Sequence, residues 1–152
     1  MKLLFCPQSA AVEFLIRITN DKLNLQVVMS ELEDNSAGAV SIFMGNVRNR
    51  GKFGNVLEIY YEAYGEMAEV KLREIESEVK TKWNIKKLVA IHRIGNLKVG
   101  ETSIIIGVCS EHRHEAFEAC KYVINNVKTR VPIWKKEMSE ESQMWTDGIL
   151  LE

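Results

Sequence analysis

Leu57-Glu58-Ile59-Tyr60-Tyr61-Glu62-Ala63-Tyr64 puts Leu57, Ile59, Tyr61 and Ala63 on one side of an extended chain and Glu58, Tyr60, Glu62 and Tyr64 on the other. A period of two marks a half-buried strand. The period then changes. Between Glu66 and Trp83, residues Ala68, Leu72, Ile75 and Val79 recur at helical spacing and give one apolar stripe. The wet side carries Glu69/Arg73, Glu76/Lys80 and Glu78/Lys82, pairs four residues apart that face each other on a helix. Two more strands are predicted over Lys87 to Ile94 and Thr102 to Cys109, with turns at Gly95-Asn96 and Gly100. Strands that adjoin without a helix between them break strict βαβ alternation, so the expected class is α+β with a mixed or antiparallel sheet and packed helices.

Outward from this centre the same rules apply. Val12 to Thr19 is β-branched and apolar enough for a strand. Asp21 or Asn24 would cap a short helix carrying Leu25, Val28, Met29 and Leu32. Asp34-Asn35-Ser36 reads as a loop. Ala39 to Val47 reads as a strand with Val40, Ile42 and Met44 on one face, and Asn49 to Asn55 as a polar loop with two glycines. On the other side, Ser110 is the expected N-cap of a helix to about Arg130, buried through Ala116, Ala119, Cys120, Val123, Ile124 and Val127. Pro132 ends that helix and forces Val131 into an extended conformation. An extended segment from Pro132 to Glu137 follows.

The 152 residues fit one domain of ~100–200 residues. Such a chain buries about 69% of its unfolded surface, enough for a core without staples. A hydrophobic share of 46% with only 2 Pro excludes disorder and low complexity. A net charge of −1 gives no global field toward nucleic acid or an anionic membrane. The apolar run Ile104 to Cys109 is far short of the ~20 residues a spanning helix needs, and Met1 to Pro7 lacks the ~7–15 apolar residues of a signal peptide. Cys6, Cys109 and Cys120 form no C-x-x-C pair. A reducing, cytoplasmic setting fits three cysteines with neither a zinc ribbon nor a disulfide framework; Cys109, at a strand end, is the one to test for reactivity.

Three places could carry chemistry. Ser110-Glu111-His112-Arg113-His114 puts His112 and Arg113 at a helix start, where free N–H groups and the dipole favour anions; otherwise it is a solvated helix start. Lys128-Thr129-Arg130-Val131-Pro132-Ile133-Trp134-Lys135-Lys136-Glu137 crowds four cations around a proline. They either complement the helix C-terminus or lower one another's pKa until a lysine can act as base or nucleophile. Trp134 would be an apolar wall or core. Gly45-Asn46-Val47-Arg48 sits where a strand hands over to a loop, with Arg48 either a phosphate ligand or a surface arginine. His92 reads as a core histidine. There is no Walker loop, and His112-x-His114 has no shared helix face for a metal.

Taken in order, Gly45-Asn46-Val47-Arg48-Asn49, Leu57 to Tyr64, Met67-Ala68, His92-Arg93-Ile94-Gly95-Asn96-Leu97, Val99-Gly100-Glu101, His112-Arg113, Glu115 to Ala119 and Lys128 to Glu137 resemble the large, catalytic subunit of molybdopterin synthase. The likeness runs from Gly38 to about Gly148. It implies an α/β hammerhead-type fold in one domain over residues 1–152. It also implies an enzyme that adds two sulfurs to cyclic pyranopterin monophosphate, making the dithiolene of molybdopterin. The sulfur would arrive as a thiocarboxylate on the C-terminal glycine of a small ubiquitin-like subunit. Two large subunits would form the core of a heterotetramer, with no resident cofactor or metal and no nucleic-acid or membrane partner. By motif, Lys128 and Lys135 would be catalytic. Arg48, His112 and Arg113 would hold phosphate and pterin, with Asn46, Val47, Lys136 and Glu137 flanking the pocket.

One consequence follows from helix geometry. A helix from Ser110 to Lys128 spans about 27 Å at ~1.5 Å per residue, too far for a small pterin to bridge. His112 and Arg113 are therefore expected from a second subunit across a two-fold interface. The competing readings are a non-catalytic module that binds an anion or acidic tail, and an RNA-binding domain using Tyr60 or Tyr64, which the near-neutral charge disfavours.

Overall fold

A computed structural model describes residues 14–52, 54–140 and 142–146. Cys6, the start of the first expected strand at Val12, Phe53 and the stretch around Gly148 lie outside them. Strand β1 (Phe14–Thr19) leads to helix α1 (Leu25–Glu31), strand β2 (Ala39–Asn46), and the two-residue strands β3 (Arg50–Gly51) and β4 (Gly54–Asn55). Then come β5 (Glu58–Ala63), α2 (Gly65–Lys82), β6 (Ile85–Arg93), β7 (Gly95–Lys98), β8 (Thr102–Ser110), α3 (Arg113–Arg130), β9 (Ile133–Met138) and β10 (Gln143–Thr146).

The strands form two four-stranded sheets and a β3–β4 hairpin. The first sheet has the order β1-β6-β8-β2, with β1 parallel to β6 and the other pairs antiparallel. The second, β10-β9-β5-β7, is antiparallel throughout. The expected α+β class is borne out. Strands β6 and β8 are buried on both faces, which explains the unbroken apolar run at Ile104 to Cys109. On one face Leu88, Ala90, Ile104 and Ile106 meet Leu72, Ile75 and Val79 of α2 and Ala119, Val123 and Val127 of α3. On the other, Val89, Ile91 and Ile105 meet Val28 and Leu32 of α1. A third cluster of Val47, Val56, Ile59, Tyr61 and Leu97 lies under the second sheet.

Several expectations are corrected. Ser110 ends β8, and its hydroxyl donates to the His112 carbonyl; the N-cap of α3 is His112, in extended conformation. Asn24, not Asp21, caps α1 by accepting from the Gln26 N–H at 2.9 Å. Only Val28 and Leu32 of the α1 stripe reach the core, because a seven-residue helix presents little more than one buried turn. The Gly95-Asn96 turn opens a strand: Gly95, at φ 91, lets the chain reverse and pair at once with β5. The polar loop after Asn49 contains the β3–β4 hairpin. Glu78 pairs with Arg130 of α3 rather than with Lys82. Cys109 and Cys120 are buried, and burial pushes both thiols up, so Cys109 is core and not reactive.

Candidate active site

The two sheets meet near the end of β2, and a cleft of about 210 Å³ opens there. Lys128 reaches it from the last turn of α3, Lys135 and Glu137 from β9, and Ile59 and Tyr61 from β5. Ser103 comes from the start of β8, Asn46 from the end of β2, and Arg48 and Arg50 from the segment that enters the hairpin.

Pro132 explains how two lysines seven residues apart converge. Its ring forces Val131 to φ −85, ψ 123, which ends the helix and starts a strand. Strand alternation then aims Lys135 and Glu137 at the cleft and Trp134 and Lys136 away from it. Glu137 Oε1 lies 3.6 Å from Lys135 Nζ, and both side chains are largely buried. Lys136 instead sits 6.0 Å from the Trp145 ring, opposite Tyr60 in register. The Lys136 side chain thus stands on the other face of the sheet from Lys135 and Glu137, outside the lining of this cleft.

At the end of β2 a register shift between Gly45 and Asn46 turns the strand toward the cleft. Thr102 Oγ1 donates to Asn46 Oδ1 at 2.8 Å and fixes that side chain. Val47 is 2% exposed, with its N–H donating to the Glu101 carbonyl and its carbonyl accepting from Gly100. It anchors the strand end beneath the cleft and presents no side chain to it. Arg48 and Arg50 are exposed on the rim. A Cβ on Gly51 would fall 2.0 Å from Glu137 Oε2 and 2.8 Å from Val56 Cγ2, so any side chain there would displace the Glu137 carboxylate or lift the hairpin from β9.

Electrostatics sort the remaining cations. Arg130, two residues from Lys128, is held away: it donates to Glu78 Oε2 at 2.6 Å, Glu78 Oε1 at 2.9 Å and Glu74 Oε2 at 3.1 Å. Tyr122 also donates to Glu78 Oε2, at 2.6 Å. With these donors, Arg130 first, the Glu78 carboxyl falls to about 2. Below the cleft, His92 is 4% exposed, its Nδ1 is 2.8 Å from the Arg93 carbonyl, and its ring meets Tyr61 edge-on at 5.2 Å. Burial, and then the charge of Lys128, bring its pKa down to about 4, so the imidazole is neutral at pH 7. It is the core histidine the sequence suggested.

His112 and Arg113 do not join the cleft. They stand exposed at the other end of α3, whose 18 residues span about 27 Å at ~1.5 Å per residue. Among the described residues no three His, Cys, Asp or Glu side chains are placed to hold a metal. Sequence reasoning missed Arg50, Ser103 and Tyr61. The alternation of β5 already put Tyr61 on the inner face, and the Arg48-x-Arg50 spacing was the available hint for the other arginine.

Four cations, Arg48, Arg50, Lys128 and Lys135, thus line a cleft whose single carboxylate among the described residues, Glu137, is already paired with Lys135. Cations gathered in a cleft favour the entry of anions. The chain matches the MoaE protein family over residues 18–130 and belongs to it, as the motifs led one to expect. It is 42% identical over 131 residues to the Homo sapiens molybdopterin synthase catalytic subunit, covering 86% of this chain and 70% of that one. It is 38% identical over 128 residues to the Pyrococcus abyssi molybdopterin synthase catalytic subunit, covering 84% and 86%. The solved molybdopterin synthase from Staphylococcus aureus is 34% identical with a TM-score of 0.77, covering 89% and 96%. A Helicobacter pylori complex of subunits 1 and 2 of molybdopterin-converting factor shares the fold at 21% identity, with a TM-score of 0.71 and 90% coverage of both chains.

Proposed function

We propose that this chain is the catalytic subunit of a molybdopterin synthase and acts as a sulfurtransferase on cyclic pyranopterin monophosphate. The carrying observation is the convergence of Lys128 and Lys135 in one cationic cleft, on a chain of the MoaE family. The donor is a thiocarboxylate at the C-terminus of a small ubiquitin-like subunit. Its sulfur, already a good nucleophile, forms the new carbon–sulfur bond as a carbon–oxygen bond at the same carbon breaks and that oxygen leaves with a proton. Water then cleaves the acyl–sulfur bond, leaving sulfur on the pterin and a carboxylate on the donor tail. Lys128 and Lys135 stabilise the negative charge that develops and exchange protons at the reacting carbons. No cofactor enters this scheme. We assign the reaction to the cytosol; no helix among the described residues is long and apolar enough to cross a membrane.

A volume of about 210 Å³ is below the ~300–1,000 Å³ of usual small-molecule sites, which supports a site completed by another chain. We assign that role to a second copy, contributing His112 and Arg113 across a two-fold axis. Strand β2 supports this: among the described residues it is an edge strand beside the cleft, with Val40, Phe43 and Met44 exposed, and a sheet edge is a template for pairing with another chain. The test mixes the protein with a thiocarboxylated small subunit and the cyclic pterin. Dithiolene product that disappears in Lys128→Ala with the fold intact is expected. A complex without product would reduce the protein to a binding module.

A further inference from the structure

We propose that Arg50 is a further substrate-binding residue, gripping a two-oxygen anion in the cleft with both arms of its guanidinium. The inference rests on the reaction proposed above. Three observations carry it. The first is position. Arg50 lines the cleft together with Arg48, Lys128 and Lys135. The second is fixation. Its backbone is paired with Asn55, the Val56 N–H donates to the Asn49 carbonyl at 3.0 Å, and the next residue, Gly51, is pinned beneath the Glu137 carboxylate. The hairpin thus holds the base of the Arg50 side chain in place while its exposed head remains able to meet a ligand. The third is charge. Arg48 and Arg50 bring two guanidinium charges to a cleft whose one carboxylate among the described residues is Glu137, and the proposed reaction brings in two anions.

A guanidinium fork matches the paired oxygens of a phosphodiester or of a carboxylate, whereas a lysine offers only a point charge. Arg50 is thereby distinguished from the two lysines, which serve the reacting carbons. The shared chemistry has two sources: the phosphate of the pterin, and the terminal group of the donor tail as it arrives and leaves.

The experiment compares wild type, Arg50→Ala and Arg50→Lys in the complete enzyme with its thiocarboxylated small subunit. KM is measured separately for the cyclic pterin and for the small subunit, and calorimetry follows binding of a peptide ending in a glycine carboxylate. Arg50→Ala is expected to raise one of the two KM values about tenfold or more, the scale of a hydrogen-bonded charge contact, with kcat little changed. The KM that rises identifies the anion, and weaker peptide binding goes with the donor tail. Arg50→Lys should recover little, because charge returns without the fork. Full recovery by lysine would mean that only long-range charge matters and would overturn the inference, as would unchanged KM values in Arg50→Ala. A wild-type enzyme that forms no product sinks the reaction itself; an active wild type with a normal Arg50→Ala sinks only the role of Arg50.

Discussion

Replacing Glu78 by Gln tests the contact that decides which cations reach the cleft. Glu78 of α2 accepts from Arg130 and Tyr122 of α3, and its pKa falls from 4.5 to about 2. At about 1.36 kcal/mol per pKa unit, the ceiling on its contribution is about 3 kcal/mol. The Glu78 side chain is 34% exposed, so solvent screening reduces the expected loss to about 1–2 kcal/mol. The sign follows from the depressed native value: the stabilisation is fully present above pH 4.5 and disappears as pH falls through about 2. Urea denaturation of wild type and Glu78→Gln at pH 7 and pH 3 provides the assay. The difference should be about 1–2 kcal/mol at pH 7 and roughly half of that or less at pH 3. Because Arg130 then keeps Glu74 as its one carboxylate partner, beside Asn126 of its own helix, the end of α3 that carries Lys128 loosens, and turnover should fall with the small-subunit KM unchanged. A stability difference independent of pH would refute the ion-pair account. Normal turnover in a variant destabilised as expected would refute the link to Lys128.

Gly51→Ala should displace the Glu137 carboxylate from Lys135, since the new Cβ would overlap Oε2. Loss of turnover with a melting temperature close to wild type is expected, because a stem of two residue pairs yields before the core does; full activity would sink the placement of the hairpin. His92 titrates near 4 in the native protein against 6.5 when free. The unfolded chain therefore binds more protons between these values, and stability should drop by up to about 3 kcal/mol as pH falls from 6.5 to 4. His92→Gln should flatten that part of the pH–stability curve, and an unchanged slope would assign it to other groups. Mixing inactive Lys128→Ala with inactive Arg113→Ala chains at equal ratio should restore about a quarter of the wild-type sites, since one site of each mixed dimer is whole. No recovery after subunit exchange, confirmed by mass spectrometry, would place both residues in one chain's site.

What was legible in the sequence was what repeats locally. The stripe Ala68, Leu72, Ile75, Val79 and the alternation through Leu57 to Tyr64 each state their period within a few residues, and α2 and β5 follow. The stop at Pro132 was legible too, because the clash acts on the neighbouring residue alone. The β3–β4 hairpin was not, since two-residue strands have no period to read. Nor was the fate of the cations between Lys128 and Lys136. As a linear run they form one basic cluster. In the fold, Arg130 is claimed by a glutamate 52 positions away, and Lys136 by alternation faces Trp145. Lys128 and Lys135 remain in the cleft, joined by two arginines from a distant loop. His112 and Arg113 do not reach the cleft of their own chain. Helix α3 is one rigid rod that carries Lys128 at one end and these two residues at the other, so any substrate that needs both ends needs two copies of the rod. The proposed two-fold arrangement thus follows from the length of α3 together with the substrate roles proposed for both of its ends, and does not depend on any one contact at the β2 edge.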